Sequence, residues 1–357
     1  MNFRLFTTFI VLSLFISFFS CSNKSKTSRK PAVQINVSSA NKNITVGNAL
    51  TVGISVKLKD GKLKETRIYI DTMLITSSTE TDFTYPLTGF NTTGKYTVKA
   101  VAEKTDGVEG TYFKSFEVMS DIVPENMGYE VVRTLPHNNT FFTEGLEIHN
   151  GFLYESTGEH GTSGIYKTNL TTAKVLQSVE LPKRYFGEGI TIFNNRVYQL
   201  TYRTKIGFIY DLETMTVRDS FYFDSKEGWG MTHDEQNLIM SDGTNVLTYL
   251  DPQSLKPVKK LQVYDHKEPV FYLNELEFYD GYIYANVWNT YLIVKIDPKS
   301  GKVLQRISMD GILSMVSAMG QRVDVLNGIA IDPATGKMYV TGKYYPKLFE
   351  IRLVKRG

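Results

Sequence analysis

The chain has 357 residues, 40 basic against 37 acidic side chains, and a formal charge of +3. Lys and Arg are scattered among the acids, so there is no basic face for nucleic acid, and one cysteine excludes an intramolecular disulfide. The length is enough for two or three domains, each with its own core.

Residues 1–20 carry Arg4 and then an uncharged apolar run from Leu5 to Phe19. A run of about 15 residues has the length of a signal-peptide core and is short for a membrane span. It ends at Cys21, followed by Ser22-Asn23-Lys24-Ser25-Lys26. A lone thiol there resembles a bacterial lipoprotein processing site, where the cysteine is lipidated and becomes the mature N-terminus. The other reading is an ordinary signal peptide with an incidental cysteine at its edge. Both predict export to the cell envelope, and the first predicts a membrane-anchored lipoprotein. Residues 21–31, rich in Ser and Lys, read as a tether.

From residue 32 to 120 short alternating runs follow, separated by Gly, Asn and Asp turns: Val33–Val37, Leu50–Val56, Arg67–Ile70, Gly94–Ala102 and Thr111–Val118. Such a pattern over about 90 residues predicts a small immunoglobulin-like sandwich. It holds no His, Cys or carboxylate cluster, so it is expected to be a spacer or recognition module. Asp121 to Asn126, with Pro124, reads as the join.

Beyond it, over 127–355, one motif recurs. Phe142-Thr143-Glu144-Gly145-Leu146, Tyr185-Phe186-Gly187-Glu188-Gly189, Gly228-Trp229-Gly230-Met231, Leu273-Asn274-Glu275-Leu276 and Leu326-Asn327-Gly328-Ile329 align, at a spacing of 41 to 53 residues. A second signature follows each: Tyr154 to Gly158, Tyr198 to Tyr202, Ile239 to Gly243, Tyr284 to Trp288, and Tyr339 to Lys343. Five repeats of about 40–50 residues made of short β-runs predict an all-β, five-bladed propeller. In the second repeat the strands are Gly189–Phe193, Arg196–Leu200, Gly207–Asp211 and Asp219–Phe223, with Asn194-Asn195 as a turn. The fifth repeat reaches only three strands, and Tyr129 to Leu135 is expected to supply the fourth, closing the ring and removing its edges.

Equivalent positions of a propeller converge on its axis. One column reads Glu144, Glu188, Trp229, Asn274, Asn327, and the other Gly158, Tyr202, Gly243, Trp288, Lys343. Their flanks are constant while their chemistry varies, as a shared binding mouth requires. The candidates are two carboxylates (Glu144, Glu188), two amides (Asn274, Asn327), one cation (Lys343) and an aromatic wall of Phe142, Phe186, Tyr202, Trp229 and Trp288. A carboxylate beside aromatic surface loses hydration and its pKa rises, and a second nearby pushes the same way, which fits a Glu for proton transfer near neutral pH. The chain lacks G-x-S-x-G, H-E-x-x-H, P-loop and CxxC motifs. The five histidines fall at unmatched places and read as solvated loop residues.

The same strings in order, closing with Pro346-Lys347-Leu348-Phe349-Glu350, resemble the plant and bacterial type of glutaminyl-peptide cyclotransferase over residues 128–354. The resemblance implies conversion of an N-terminal glutamine, on a peptide or as the free amino acid, to pyroglutamate with release of ammonia. It assigns the acid/base role to Glu188, carbonyl polarisation to Asn274 and Lys343, and the pocket to Phe142, Phe186, Trp229 and Trp288. Plant members carry Gln where Glu144 stands and Trp where Tyr202 stands, which bears on pH optimum and substrate preference.

The substrate holds both reactants, its α-amine and its side-chain amide, so the reaction needs no enzyme nucleophile and no redox cofactor. A structural cation in the channel is left open, and the protein is expected to act as a monomer. Two other readings of these residues remain. One is a calcium-dependent propeller hydrolase, lactonase-like, caging its ion with Glu144, Glu188, Asn274 and Asn327. The other is a non-catalytic propeller presenting a binding face.

Overall fold

The computed structural model describes residues 27–41, 43–317 and 322–356. The expected signal peptide, the Cys21 lipidation site and most of the tether lie outside the described residues. Ser28 and Arg29, at the end of that tether, are bonded to Asp60, Asp106 and Lys104 of the first sheet unit.

The protein is all-β. Its first unit has a three-stranded sheet, Ala32–Ser39, Leu50–Lys57 and Asp82–Leu87, facing a four-stranded one ordered Met73–Ser78, Leu63–Ile70, Gly94–Lys104, Glu109–Val118. Alternation drives the assembly: Leu50, Val52, Ile54 and Val56 all turn inward from one strand. They meet Ile68, Val98, Ala100 and Ala102 in a single core. Each fully buried aliphatic side chain contributes about 1.5–3 kcal/mol. Met73–Ser78 was not readable from the sequence because it shows no buried alternation.

This unit is docked on the second. Thr93 N donates to Ser300 O at 2.8 Å, Thr93 Oγ1 to Gln262 O at 2.6 Å, and Ser120 N to Asp265 O at 3.1 Å. Asp121 pairs with Lys302 at 2.6 Å.

The rest of the chain forms three four-stranded antiparallel sheets and one eight-stranded sheet. The first sheet holds Thr143–His149, Phe152–Thr157, Gly164–Asn169 and Val175–Glu180. Next comes Gly187–Phe193, Arg196–Thr201, Ile206–Asp211 and Val217–Tyr222, within two residues of the expected bounds. Asn194 and Asn195 both take positive φ (51° and 59°), as a two-residue turn between twisted strands requires. The third sheet begins with a short strand, Met231–His233. The eight-stranded sheet joins Leu273–Tyr279, Tyr282–Val287, Leu292–Ile296 and Val303–Ser308 to Glu125–Pro136, Lys347–Lys355, Met338–Gly342 and Leu326–Ile331.

Glu125–Pro136 makes that join. It pairs antiparallel with the C-terminal strand, Leu135 opposite Leu348 and Tyr129 opposite Leu353, as expected. At its start it also pairs parallel with Val303–Ser308. The first strands of the sets touch in cyclic order, Thr143–His149 against Gly187–Phe193, on through Met231–His233 and Leu273–Tyr279 to Leu326–Ile331, and back to Thr143–His149.

Buried carboxylates tie these inner strands together. Glu147 accepts from Ile192 N at 2.8 Å, Glu277 from Ile331 N at 2.8 Å, and Glu275 from both Ile329 N at 2.8 Å and Leu146 N at 3.2 Å. Burial pushes Glu147 up to about 8 and Glu275 and Glu277 well above the usual carboxylate range.

His137 corrects the reading of the histidines as solvated, since its side chain is 3% exposed. It contacts Tyr345 O through Nδ1 at 2.7 Å and Glu155 through Nε2 at 3.0 Å. Thr143 donates to the other Glu155 oxygen at 2.6 Å. Burial alone would lower the imidazole pKa, but the Glu155 charge and the hydrogen bonds to Glu155 and the Tyr345 carbonyl together outweigh it and hold it above the ordinary value. The pair latches the start of the ring to its last turn.

Candidate active site

A cavity of about 510 Å³ opens where the inner strands begin. Glu144, Glu188 and Asn274 are each the second residue of an inner strand, and Tyr202, Trp288 and Lys343 each follow the end of a second strand. All six line the cavity, with Phe142, Phe186 and Trp229. A larger open hollow of about 720 Å³ on the first unit, beside Gln34, Ser55 and Tyr112, has Asp82 as its one ionisable acid, so volume alone does not choose the site.

Strand register thus brings both columns of the sequence to one opening. Asn327 is the exception, for it is fully buried and off the cavity wall. It is not a substrate contact in this structure. Its Nδ2 donates to Glu144 at 3.2 Å and to Thr143 O at 3.0 Å, so it holds Glu144 in place.

The other Glu144 oxygen accepts from Lys343 Nζ at 2.7 Å, and both side chains are almost fully buried (3% and 7% exposed). Lys343 Nζ also lies 4.3 Å from the Phe142 ring centre. Burial pushes Glu144 up to about 7 against the pull of Lys343. Glu188 is raised well above the ordinary range, by burial first and by the Glu144 charge second, while Lys343 partly opposes. The floor therefore presents a Glu144–Lys343 pair beside a carboxyl, Glu188, whose proton affinity is raised by burial and by the Glu144 charge.

Asn274 is 3% exposed, and its Oδ1 has no hydrogen-bond partner among the described residues. A buried unsatisfied oxygen costs about 1–3 kcal/mol, and its position on the cavity wall marks a place for a ligand's donor.

Aromatic rings form two runs of wall. Tyr344, Phe142, Phe186 and Tyr202 follow one another at centroid distances of 5.2, 6.0 and 5.7 Å. Opposite them Trp229, Trp288 and Tyr272 stand 5.8 and 6.0 Å apart. The glycines of the second column make room for these rings. A Cβ at Gly158 would come 2.5 Å from Phe186, and one at Gly243 would come 2.7 Å from Trp229.

Sequence reasoning missed Arg203, Glu227, Tyr272, Asn289 and Asp324, which also line the cavity. Glu227 accepts from Trp229 Nε1 at 3.0 Å and from Arg203 Nε at 2.8 Å, while Arg203 lies over the Tyr202 ring at 4.5 Å. Four of them had a signal, for Glu227 and Tyr272 stand two residues before Trp229 and Asn274, as Phe142 and Phe186 stand before Glu144 and Glu188, while Arg203 and Asn289 directly follow Tyr202 and Trp288.

The calcium-cage expectation does not survive this geometry. The Lys343 ammonium occupies one Glu144 oxygen and the Asn327 amide donates to the other, so Glu144 is taken up by protein donors. Among the described residues no group of three or more His, Cys, Asp or Glu is arranged to hold a metal ion.

A family model described as glutamine cyclotransferase matches residues 109–353. The chain is 40% identical over 226 residues to glutaminyl-peptide cyclotransferase of Arabidopsis thaliana, covering 63% of this chain and 71% of that one. The crystal structure of Myxococcus xanthus glutaminyl cyclase matches with a TM-score of 0.61 and 33% identity, over 66% of this chain and 100% of that one.

Proposed function

The chain belongs to the glutamine cyclotransferase family and carries its activity, and from that premise we propose that Glu188 serves as acid and base for ring closure, with Asn274 and Lys343 as oxyanion donors. The substrate is a peptide, or free amino acid, with an N-terminal glutamine, and the products are pyroglutamate and ammonia.

The rings of Phe142, Phe186, Tyr202 and Trp229 exclude water and curl the glutamine side chain until the α-nitrogen lies roughly 3–3.5 Å from the amide carbon. An α-amine has a pKa of about 7.7–8.0, and burial raises the proton affinity of Glu188 above that of an ordinary carboxylate, which favours transfer of a proton from amine to Glu188. The amine reaches the attacking state by leaving its proton on Glu188. The nitrogen then bonds to the side-chain amide carbon and the carbonyl electrons move onto oxygen. Asn274 and Lys343 stabilise that charge, each donor of this kind contributing roughly 3–4 kcal/mol. Glu188 returns a proton to the amide nitrogen, the carbon–nitrogen bond breaks and ammonia leaves, and the ring nitrogen gives its second proton to the freed Glu188 carboxylate.

One observation carries the reading: Glu188 and Lys343, more than 150 residues apart in sequence, line the same cavity with Asn274. The test is Glu188→Gln, which keeps the shape of the side chain and removes its proton transfer. Ammonia release from a glutamine-initiated peptide should fall by about 10²–10⁴ at unchanged Tm. Full activity in that variant would refute the assignment.

The frame is read as a five-bladed propeller behind an immunoglobulin-like sandwich. Supporting the propeller are the cyclic contacts of five inner strands and the division of the eight-stranded sheet into two sets of four. The sandwich rests on two facing sheets with one core. From the leader and Cys21 read in the sequence we infer export to the cell envelope as a lipoprotein. Metabolic labelling with a fatty acid, retained in wild type and lost in Cys21→Ser, tests the anchor.

A further inference from the structure

The floor of the cavity accounts for the glutamine but leaves most of the mouth unused. At about 30 Å³ per water, 510 Å³ holds roughly seventeen waters, several times what one glutamine displaces. The peptide chain continues outward from the α-carbonyl, so its second residue must lie against one side of the mouth.

The two sides differ. One carries Arg203 clamped to Glu227, and Asp324 also lines the opening. The other is aromatic and open: Tyr272 is 54% exposed and Trp288 39% exposed, with neighbouring Phe271 at 50%. Tyr272 and Trp288 both line the cavity, their rings 6.0 Å apart and tilted by 52°.

The backbone is built to hold this shelf. Tyr272 has φ +63°, a region that bulky side chains rarely enter and glycine enters freely. Its N–H donates to Gly243 O at 2.9 Å, and its carbonyl accepts from Trp288 N at 2.8 Å. A strained residue whose ring stays half in solvent gains little packing in return, and such strain collects where function needs it.

We propose that Tyr272 and Trp288 form a subsite for the side chain of the residue following the N-terminal glutamine, and that this subsite takes an aromatic or large apolar side chain. The inference rests on the active-site reading above. It makes peptides, rather than free glutamine, the substrates that use the whole mouth. Burial of the second side chain against two rings strengthens binding without altering the reacting groups.

The experiment compares kcat/KM for Gln-Phe-Ala, Gln-Gly-Ala and free glutamine in wild type, Tyr272→Gly and Tyr272→Phe. Wild type should favour Gln-Phe-Ala over Gln-Gly-Ala by about tenfold. Tyr272→Gly should reduce that ratio to within about twofold at undiminished Tm, because glycine accepts the φ that tyrosine strains to adopt. Tyr272→Phe keeps the ring and should keep the ratio. A wild-type ratio near one, a full ratio in Tyr272→Gly, or an equal loss on all three substrates would each overturn the subsite. Turnover that survives Glu188→Gln would instead overturn the active-site reading, and the subsite with it.

Discussion

Glu144 lines the same cavity as Glu188, and Glu144→Gln tests what its charge does there. The carboxylate is held by Lys343 at 2.7 Å and Asn327 at 3.2 Å, and an amide can keep the first contact through its oxygen. What changes is one full unit of charge beside Glu188, since the pair goes from neutral to positive. A charge within about 4–6 Å moves a carboxyl by roughly 1–3 pKa units. Here loss of the anion and exposure of the cation act in the same direction, both favouring ionised Glu188. The acid limb of kcat/KM should therefore move to lower pH by about one to two units, or about 1.4–2.7 kcal/mol. In wild type that limb belongs to two coupled carboxyls and should be drawn out, whereas in the variant it should sharpen toward a single step. The assay is ammonia release from a glutamine-initiated peptide at subsaturating substrate across pH 5 to 9. A limb that stays in place, or moves upward, would show that Glu144 and Lys343 do not set the proton affinity of Glu188.

Two further outcomes concern stability. His137→Ala leaves Glu155, 1% exposed, without its buried partner, which should cost about 3–5 kcal/mol. At roughly 2–4 °C per kcal/mol, calorimetry should show a Tm lower by about ten degrees, and a change of under two degrees would rule out the latch. Wild-type Tm should also fall as pH rises from 5 to 9, with His137 and Glu147 among the sources beside the other buried carboxyls. The raised His137 pKa gives stabilisation that is complete below about 6.5 and lost as pH passes its folded value. Glu147 holds its proton up to about 8, so its contribution declines from the ordinary value of 4.5 to there. Partial exposure of Glu147 limits its share to about 1–2 kcal/mol. Glu147→Gln should flatten the curve, and an equally steep one would exclude Glu147 as a source.

The repeat made the second unit of the fold legible because a recurring set of strands writes each equivalent position several times. Glu188, Asn274, Trp288 and Lys343 could be assigned to one opening from alignment alone, since strand period fixes where the second residue of an inner strand points. The same logic failed where a residue's surroundings come from another set of strands. Asn327 shares the column of Glu188 yet lies under Glu144 instead of on the wall. His137 lies outside the repeat, and only the closed ring brings Glu155 and Tyr345 to it. The positive φ of Tyr272 is what alternation cannot foresee, not its place two residues before Asn274. In the first unit, the strands missed were those without a clear inward face, such as Met73–Ser78.

Ring closure and catalysis are then one problem. Glu144 comes from the first inner strand after the N-terminal join, and Lys343 from the turn before the C-terminal strand. Their 2.7 Å contact forms only if Glu125–Pro136 has paired with Lys347–Lys355. The His137 to Glu155 contact lies directly behind, with Thr143 bonded to Glu155 and its carbonyl accepting from Asn327, which also holds Glu144. Opening the ring by even a small amount would expose a buried lysine and a buried carboxylate to water and relieve the burial that raises the proton affinity of Glu188. The same hydrogen bonds that remove the sheet edges therefore bear on the proton affinity of the group proposed as the acid.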